Sequence, residues 1–506
     1  MGARILDLPL ILQLTALFAL AMFAPALHAL AQGDHSVARV FLYSGLAGLV
    51  LVSIIALAMT HRVGREPTDL ENLASLVLAY TLLPLFLALP LYEGLETTSY
   101  LNAYFEMVSS LTTTGATLFG DPERLTESLH LWRGLVGWLG GLLVWISASA
   151  ILAPLYLGGF EVTARAEPGQ GAERLDRFRR ASSARRIAQI GAQLTPVYAA
   201  LTGALWVFLL ICGDRPLVAA VHAMSTMATS GISPVGGAQE SNAGLGGEAI
   251  MFLFMLFALS RLTFSSDTVT TGRPGLQNDP EFRIGIALVL GVPLILFARH
   301  WLGAYEVDEG ENLGQAARAL WGGMFTVLSF LSTTGFESAS WDAARNWSGL
   351  GTPGLILMGL SIMGGGVATT AGGVKLLRVY ALYLNGQREM ERLVHPRSVG
   401  RATGGSRRIR REGAFVAWIF FMMFALSLAL VTTILAALGH SFESATVLSI
   451  AALSTTGPLI QSATETPIGL LEMGSAAKLV VCVAMVLGRL ETLAVIPLFK
   501  PSLWRE

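Results

Sequence analysis

The chain has 506 residues, of which 53% are apolar and only 14% charged, and its mean hydropathy is +0.59. That is too little polar surface to wrap a soluble core of this size, so the chain is assigned to a bilayer. A formal net charge of -1 excludes the electrostatic footprint of a nucleic-acid binder, and the two cysteines, Cys212 and Cys482, set singly in apolar runs, supply neither a disulfide framework nor a metal site.

A helix crosses the hydrocarbon core in about 20 apolar residues. Ten such segments lie near 8–31, 38–60, 73–92, 131–158, 190–212, 246–265, 282–302, 351–384, 413–438 and 475–499. The first follows Arg4 and ends in Ala29-Leu30-Ala31, a pattern shared with signal peptides, but its apolar run exceeds a signal core and favours a retained helix. Basic residues then sort the connections. Arg165, Arg174, Arg177, Arg179, Arg180, Arg185 and Arg186 precede the fifth span, and Arg388, Arg392, Arg397, Arg401, Arg407, Arg408, Arg410 and Arg411 precede the ninth, which places both connections in the cytoplasm. The connection after the third span carries Glu93, Glu96, Glu106, Asp121, Glu123 and Glu127, and that after the seventh carries Glu306, Asp308, Glu309 and Glu311. These are expected to face outward, where acidic surface concentrates cations at an entrance, although any external loop is free to be acidic.

One block recurs four times: a short helical stretch, a Thr/Ser string ending in Gly, and a polar segment leading to another span. The strings are Thr113-Thr114-Gly115, Thr229-Ser230-Gly231, Thr333-Thr334-Gly335 and Thr455-Thr456-Gly457, and the short helices are expected at Tyr100–Leu111, Leu217–Ala228, Gln315–Leu331 and Ser441–Leu453. The helices are too short to cross, so they enter and return, with their irregular backbone buried in protein or lining a cavity. Such a helix directs its carbonyl end, carrying roughly half a negative charge, at the axis it approaches. Rings of carbonyls replace a cation's water shell, and glycine permits the backbone to turn them inward. The hydroxyls serve as further ligands or as backbone caps, and the string itself also reads as a helix C-cap. The blocks divide the chain into residues 1–65 with two N-terminal spans, then repeats over 66–165, 166–275, 276–405 and 406–506.

Ser-Ser-Leu-Thr-Thr-Thr-Gly-Ala-Thr, the following Leu-Trp-Arg-Gly-Leu-Val-Gly-Trp-Leu-Gly-Gly ending at Gly141, and the late Leu487-Gly488-Arg489-Leu490-Glu491 resemble the Trk/Ktr/HKT superfamily of potassium transporters. The two extra spans before the first repeat match its TrkH-type pore-forming subunits. The resemblance implies an all-α polytopic membrane protein with four helix/pore-loop/helix repeats around one pore, preceded by two extra transmembrane helices. It further implies potassium uptake across a bacterial inner (cytoplasmic) membrane, with the multi-pass chain ending on the cytoplasmic side and potassium as the substrate held at the four strings. Related plant transporters with serine at the first filter position prefer sodium, so Gly115 points to potassium. The fourth string lacks the Asn common in TrkH subunits and the second is not a plain Thr-Thr-Gly, which keeps sodium or mixed monovalent cation transport as the alternative.

The eighth span is interrupted at Gly364-Gly365-Gly366-Val367-Ala368-Thr369-Thr370-Ala371-Gly372-Gly373. Each glycine costs a helix about 1 kcal/mol relative to alanine, so this is a break at a cavity or a moving part, with close helix packing as the other reading. By resemblance it is the gating loop, formed by Gly364, Gly365, Gly366, Thr369, Thr370, Gly372 and Gly373. Arg489 in an apolar run marks an interior position; by resemblance it lies below the filter and holds the gate, the alternatives being a pair with Glu491 or snorkelling. Lys375 is expected to snorkel. His222 and His440 lack metal-ligand spacing and are assigned capping or surface roles. No constellation for an enzyme converges at membrane depth, and no nucleotide-binding motif occurs. The resemblance supplies partners instead: a second copy in a homodimer and a cytosolic TrkA-type nucleotide-binding subunit. The basic segments Arg174–Arg186 and Arg397–Arg411 suit such docking or anionic membrane lipid equally; no nucleic-acid partner is expected.

Overall fold

The computed structural model describes residues 8–59, 69–153, 183–260, 276, 279–303, 313–349, 352–395, 411–464 and 468–491. Among these, all regular structure is helical, and seven helices are long and apolar enough to cross a membrane. Most of the arginines that set the expected orientation lie outside the described residues, as do Glu306, Asp308, Glu309 and Glu311.

Helices α1 (Leu10–Ala21) and α2 (Phe23–Ala31) form the first span, divided at Met22 where Pro25 has no N–H to give. Helix α3 (His35–Ala58) runs back along them, its first turn capped by Asp34 accepting from the Val37 N–H at 3.2 Å. The first segment is packed into the bundle: Phe18, Ala19, Met22 and Ala29 are fully buried, and His28 Nδ1 lies 2.9 Å from Ser128 Oγ of the first repeat.

The repeats follow in chain order. Helices α4 (Asp69–Gly94), α5 (Tyr100–Leu111) and α6 (Glu127–Ser147, extended by a π turn over Ala148–Leu152) make the first. Helices α7 (Ser183–Ile211), α8 (Pro216–Ala228) and α9 (Gly244–Met255, tightening to a 3-10 turn over Leu256–Leu259) make the second. The third holds α10 (Pro280–Gly303), α11 (Leu313–Leu331), a short α12 (Trp341–Ser348), α13 (Gly354–Met363) and α14 (Leu376–Val394). The fourth holds α15 (Arg411–Ala437), α16 (Phe442–Leu453), the single-turn α17 (Leu459–Ser462) and α18 (Ser475–Leu490). Entry helix, short helix and exit helix thus recur, and α5, α8, α11 and α16 fall within one or two residues of the expected short helices.

Three expected spans are shorter than their apolar runs. The run at 246–265 stops as a helix at Leu259, that at 351–384 splits into α13 and α14, and that at 475–499 ends at Leu490, where Glu491 takes φ 63°. Hydropathy alone cannot see these stops, because the residues beyond them remain apolar. Two exit helices reach the axis through glycine: a Cβ on Gly140 of α6 would collide with the carbonyl of Leu111, and one on Gly488 of α18 with that of Leu453. These carbonyls end α5 and α16, so the glycines of both quoted motifs are where an exit helix crosses the tip of its own short helix.

Candidate filter and gate

Each short helix ends in the same way. In the first, Thr114 N–H reaches Ser109 O at 2.8 Å and Thr113 N–H reaches Ser110 O at 2.9 Å. The equivalent bonds run from Ser230 to Ser225 and Thr229 to Thr226, from Thr334 to Ser329 and Thr333 to Phe330, and from Thr456 to Ala451 and Thr455 to Ala452. This is a Schellman ending, with the turn residue in the left-handed region. Glycine usually fills that place; here it is threonine four times, with φ 52° at Thr113, 50° at Thr229, 60° at Thr333 and 54° at Thr455. A β-branched residue pays about 1–2 kcal/mol to sit there, so cap and string are one device and the hydroxyl it carries has a use.

The glycine two residues later is reserved for close approach. A Cβ on Gly115 would strike Ser230 O, one on Gly231 would strike Thr334 O, one on Gly335 would sit 3.0 Å from the ring of Pro458, and one on Gly457 would strike the backbone of Ala116. String one therefore touches two, two touches three, three touches four, and four touches one. The four strings close a ring, and Gly457 N–H bonds Thr114 O across the last seam at 2.6 Å.

The hydroxyls split into two sets. Those next to each glycine turn back to a hydroxyl of their own repeat: Thr114 to Thr112 at 2.8 Å, Ser230 to Ser225 at 3.1 Å, Thr334 to Ser332 at 2.9 Å and Thr456 to Ser454 at 3.3 Å. Of those on the left-handed threonines, Thr229 Oγ1 donates to Ala228 O at 2.8 Å, and the other three meet Arg489 or the interrupted span. Thr113 Oγ1 accepts from Arg489 Nη2 at 2.6 Å, Thr333 Oγ1 accepts from Gly372 N–H at 2.7 Å, and a Cβ on Gly372 would collide with Thr455 Oγ1.

The break between α13 and α14 lies across the inner side of the ring. Gly364 and Gly373 take φ 70° and 75°, and the segment re-enters helix only after Lys375 N–H bonds Met363 O. It is linked to every repeat: to the first through Arg489, which also donates to Thr370 O at 2.7 Å; to the second through Thr370 Oγ1 donating to Met227 O, near the end of α8, at 3.2 Å; to the third string through Thr333; to the fourth through Gly372. Gly364, Gly365, Gly366, Thr369, Thr370, Gly372, Gly373 and Arg489 are thus brought together under the strings, and all ten residues of the break are buried.

Several side chains stand elsewhere than their sequence suggests. Arg489 neither snorkels nor pairs with Glu491; it is buried between string and break, beside the hydroxyl of Tyr80. Glu491 pairs with Arg378 at 2.6 Å, and that guanidinium stacks 3.6 Å over the Phe420 ring. Lys375 does not snorkel: it is buried and its ammonium folds back onto Ala371 O, because the break leaves carbonyls that need a donor. Glu106, counted among the outward-facing acids, is fully buried and pairs with Arg133 at 3.0 Å. His222 is fully buried rather than at the surface. The sequence reading missed Arg378 and Glu281, whose Oε1 accepts from Val367 N–H of the break at 3.0 Å. A charge in or beside an apolar run was the available signal for both.

Comparison with known proteins agrees with this fold. A family model described as "TrkH: Cation transport protein" matches residues 290–505. The Trk system potassium uptake protein TrkH of Halomonas elongata is 30% identical over 438 residues, covering 85% of each chain. The chain belongs to the TrkH family. The Trk system potassium uptake protein TrkH of Vibrio parahaemolyticus is 29% identical across 97% of this chain and 98% of its own. The crystal structure of the potassium transporter TrkH from the same organism matches with a TM-score of 0.80, at 27% identity and with both chains covered completely. Like other TrkH-family members, this chain is a multi-pass membrane protein, and its all-helical fold is that of the potassium transporter TrkH.

Proposed function

We propose that this TrkH-family chain takes potassium across the bacterial inner membrane, dehydrating it at the four strings and gating it at the break in the eighth span. One observation carries the reading: the glycines of four distant repeats meet in a closed ring at the carbonyl ends of four short helices. Partial negative charge from those ends and carbonyls of the strings replace the ion's water. Arg489 and residues 364–373 lie next in the path and act as its barrier, since a buried cation and a plug of backbone oppose a second cation. No covalent step is involved, and the chain is not an enzyme. The names of the relatives support potassium as the substrate.

Sodium or mixed cation transport has one observation on its side. Gly457 alone among the four glycines lacks a positive φ, and its N–H occupies Thr114 O, an oxygen the ring would otherwise offer. Purified protein in liposomes is expected to pass potassium and rubidium well and sodium and lithium poorly; equal sodium and potassium flux would overturn the potassium assignment. As a Trk-system member the chain is further proposed to work as a homodimer on a cytosolic nucleotide-binding ring of TrkA type, its C-terminus on the same side. Co-purification of such a subunit, lost when the Arg397–Arg411 arginines are neutralised, is the expected result.

A further inference from the structure

Each string has an inner limb, capped on its short helix, and an outer limb that leads away after the glycine. What sets the distance between the limbs is one residue of the short helix, nine positions before the glycine. In the first repeat this is Glu106, whose Oε1 accepts from Thr117 Oγ1 at 2.8 Å and from Leu118 N–H at 2.5 Å while Oε2 is held by Arg133. In the second it is His222, with Nε2 2.9 Å from Ser233 Oγ and Nδ1 facing Asp214 Oδ2 at 3.6 Å. Ser233 Oγ also accepts from Val235 N–H and Gly237 N–H, so the His222 contact reaches the backbone of the outer limb. Burial alone would raise the Asp214 carboxyl, but its contacts with His222 and Ser241 outweigh that and hold it below the usual carboxylate range. In the third repeat it is Thr326, whose Oγ1 accepts from Ser338 N–H at 3.3 Å, reinforced by Glu248 of α9, which takes Ser338 Oγ and Ala339 N–H at 2.7 Å each and Trp321 Nε1 at 2.8 Å.

In the fourth repeat the same position is Leu448. It has no group to offer, and there the chain leaves through Pro458 and the single turn of α17 instead. Glu106, His222, Thr326 and Leu448 are all fully buried. Three chemically different residues at one repeat position, each bonded two or three residues beyond the glycine, have one thing in common, which is the limb they hold. They do not face the ion; they act through the carbonyls.

We propose that Glu106, His222 and Thr326 are positioning residues that fix the spacing of the filter oxygens in three repeats, and so set selectivity among monovalent cations. The inference rests on the filter reading above. A purely packing role would be served equally by an apolar residue of the same shape, as Leu448 serves in the fourth repeat.

Thr326→Val keeps volume and branching and removes only the acceptor, whereas Thr326→Ser keeps the acceptor and removes a methyl. Wild type and both variants in liposomes, read as the potassium-to-sodium flux ratio alongside size-exclusion profile and total rubidium flux, separate the possibilities. The loss of one buried hydrogen bond predicts a ratio about five-fold lower or more in Thr326→Val, restored in Thr326→Ser and unchanged in Leu448→Met. His222→Phe, predicted to lower the ratio likewise, is the second variant should Thr326→Val fail to fold. A folded, conducting Thr326→Val or His222→Phe with the wild-type ratio overturns the inference and leaves the filter reading standing; a wild type that does not discriminate overturns the reading itself.

Discussion

Thr113, Thr229, Thr333 and Thr455 hold a conformation that glycine would adopt without cost, and the structure gives a reason for at least two of them: their hydroxyls bind Arg489 and the Gly372 N–H. The true glycines are kept for the ring, where a methyl has no room. Gly115→Ala is therefore expected to lower flux by about ten-fold or more, since it adds left-handed strain of about 1–2 kcal/mol and drives a Cβ into Ser230 O. Rubidium uptake into liposomes checks it, and near-normal uptake would contradict the ring. Arg489 was legible as an odd charge in an apolar run, but not its partners. Thr113 and Thr370 lie 376 and 119 residues away, and hydropathy patterning carries no information at that separation. The same limit hid the Arg378–Glu491 pair, 113 residues apart, whereas Lys375 was assigned to snorkelling because the break that leaves the Ala371 carbonyl open is a backbone feature that hydropathy does not report.

At the scale of elements, the break in the eighth span ties four repeats together by one or two contacts each. Shortening 364–373 is expected to raise rubidium flux on the order of ten-fold, because the deleted contacts with Met227, Thr333 and Arg489 close the inner side of the ring. Unchanged flux in a well-folded deletion would count against a gate there. Beneath the break, Arg378 joins α14 to the end of α18 and stacks on α15. Removing one partner of a buried ion pair typically costs about 3–5 kcal/mol, so Glu491→Ala is expected to lower the thermal midpoint in detergent by several degrees, and an unshifted midpoint would show the pair to be dispensable. The short helices were read nearly to the residue because the Thr/Ser strings end them sharply. The exit helices were overrun, because α9 and α18 stop inside apolar sequence.

For the molecule as a whole, four blocks along one chain become one ring, and that closure was inferred from repetition but is seen only in the contacts between Gly115, Gly231, Gly335 and Gly457. The ring also shows inequality that composition cannot: three strings are braced by a polar group nine residues back, and the fourth crosses its seam to bond the first. The most direct test of the ring is a crystal of this protein grown in rubidium and measured for anomalous scattering. The account predicts a peak on the axis among the carbonyls of the four strings, lost in crystals of Gly115→Ala. A rubidium peak confined to other sites, in protein that transports rubidium, would contradict it.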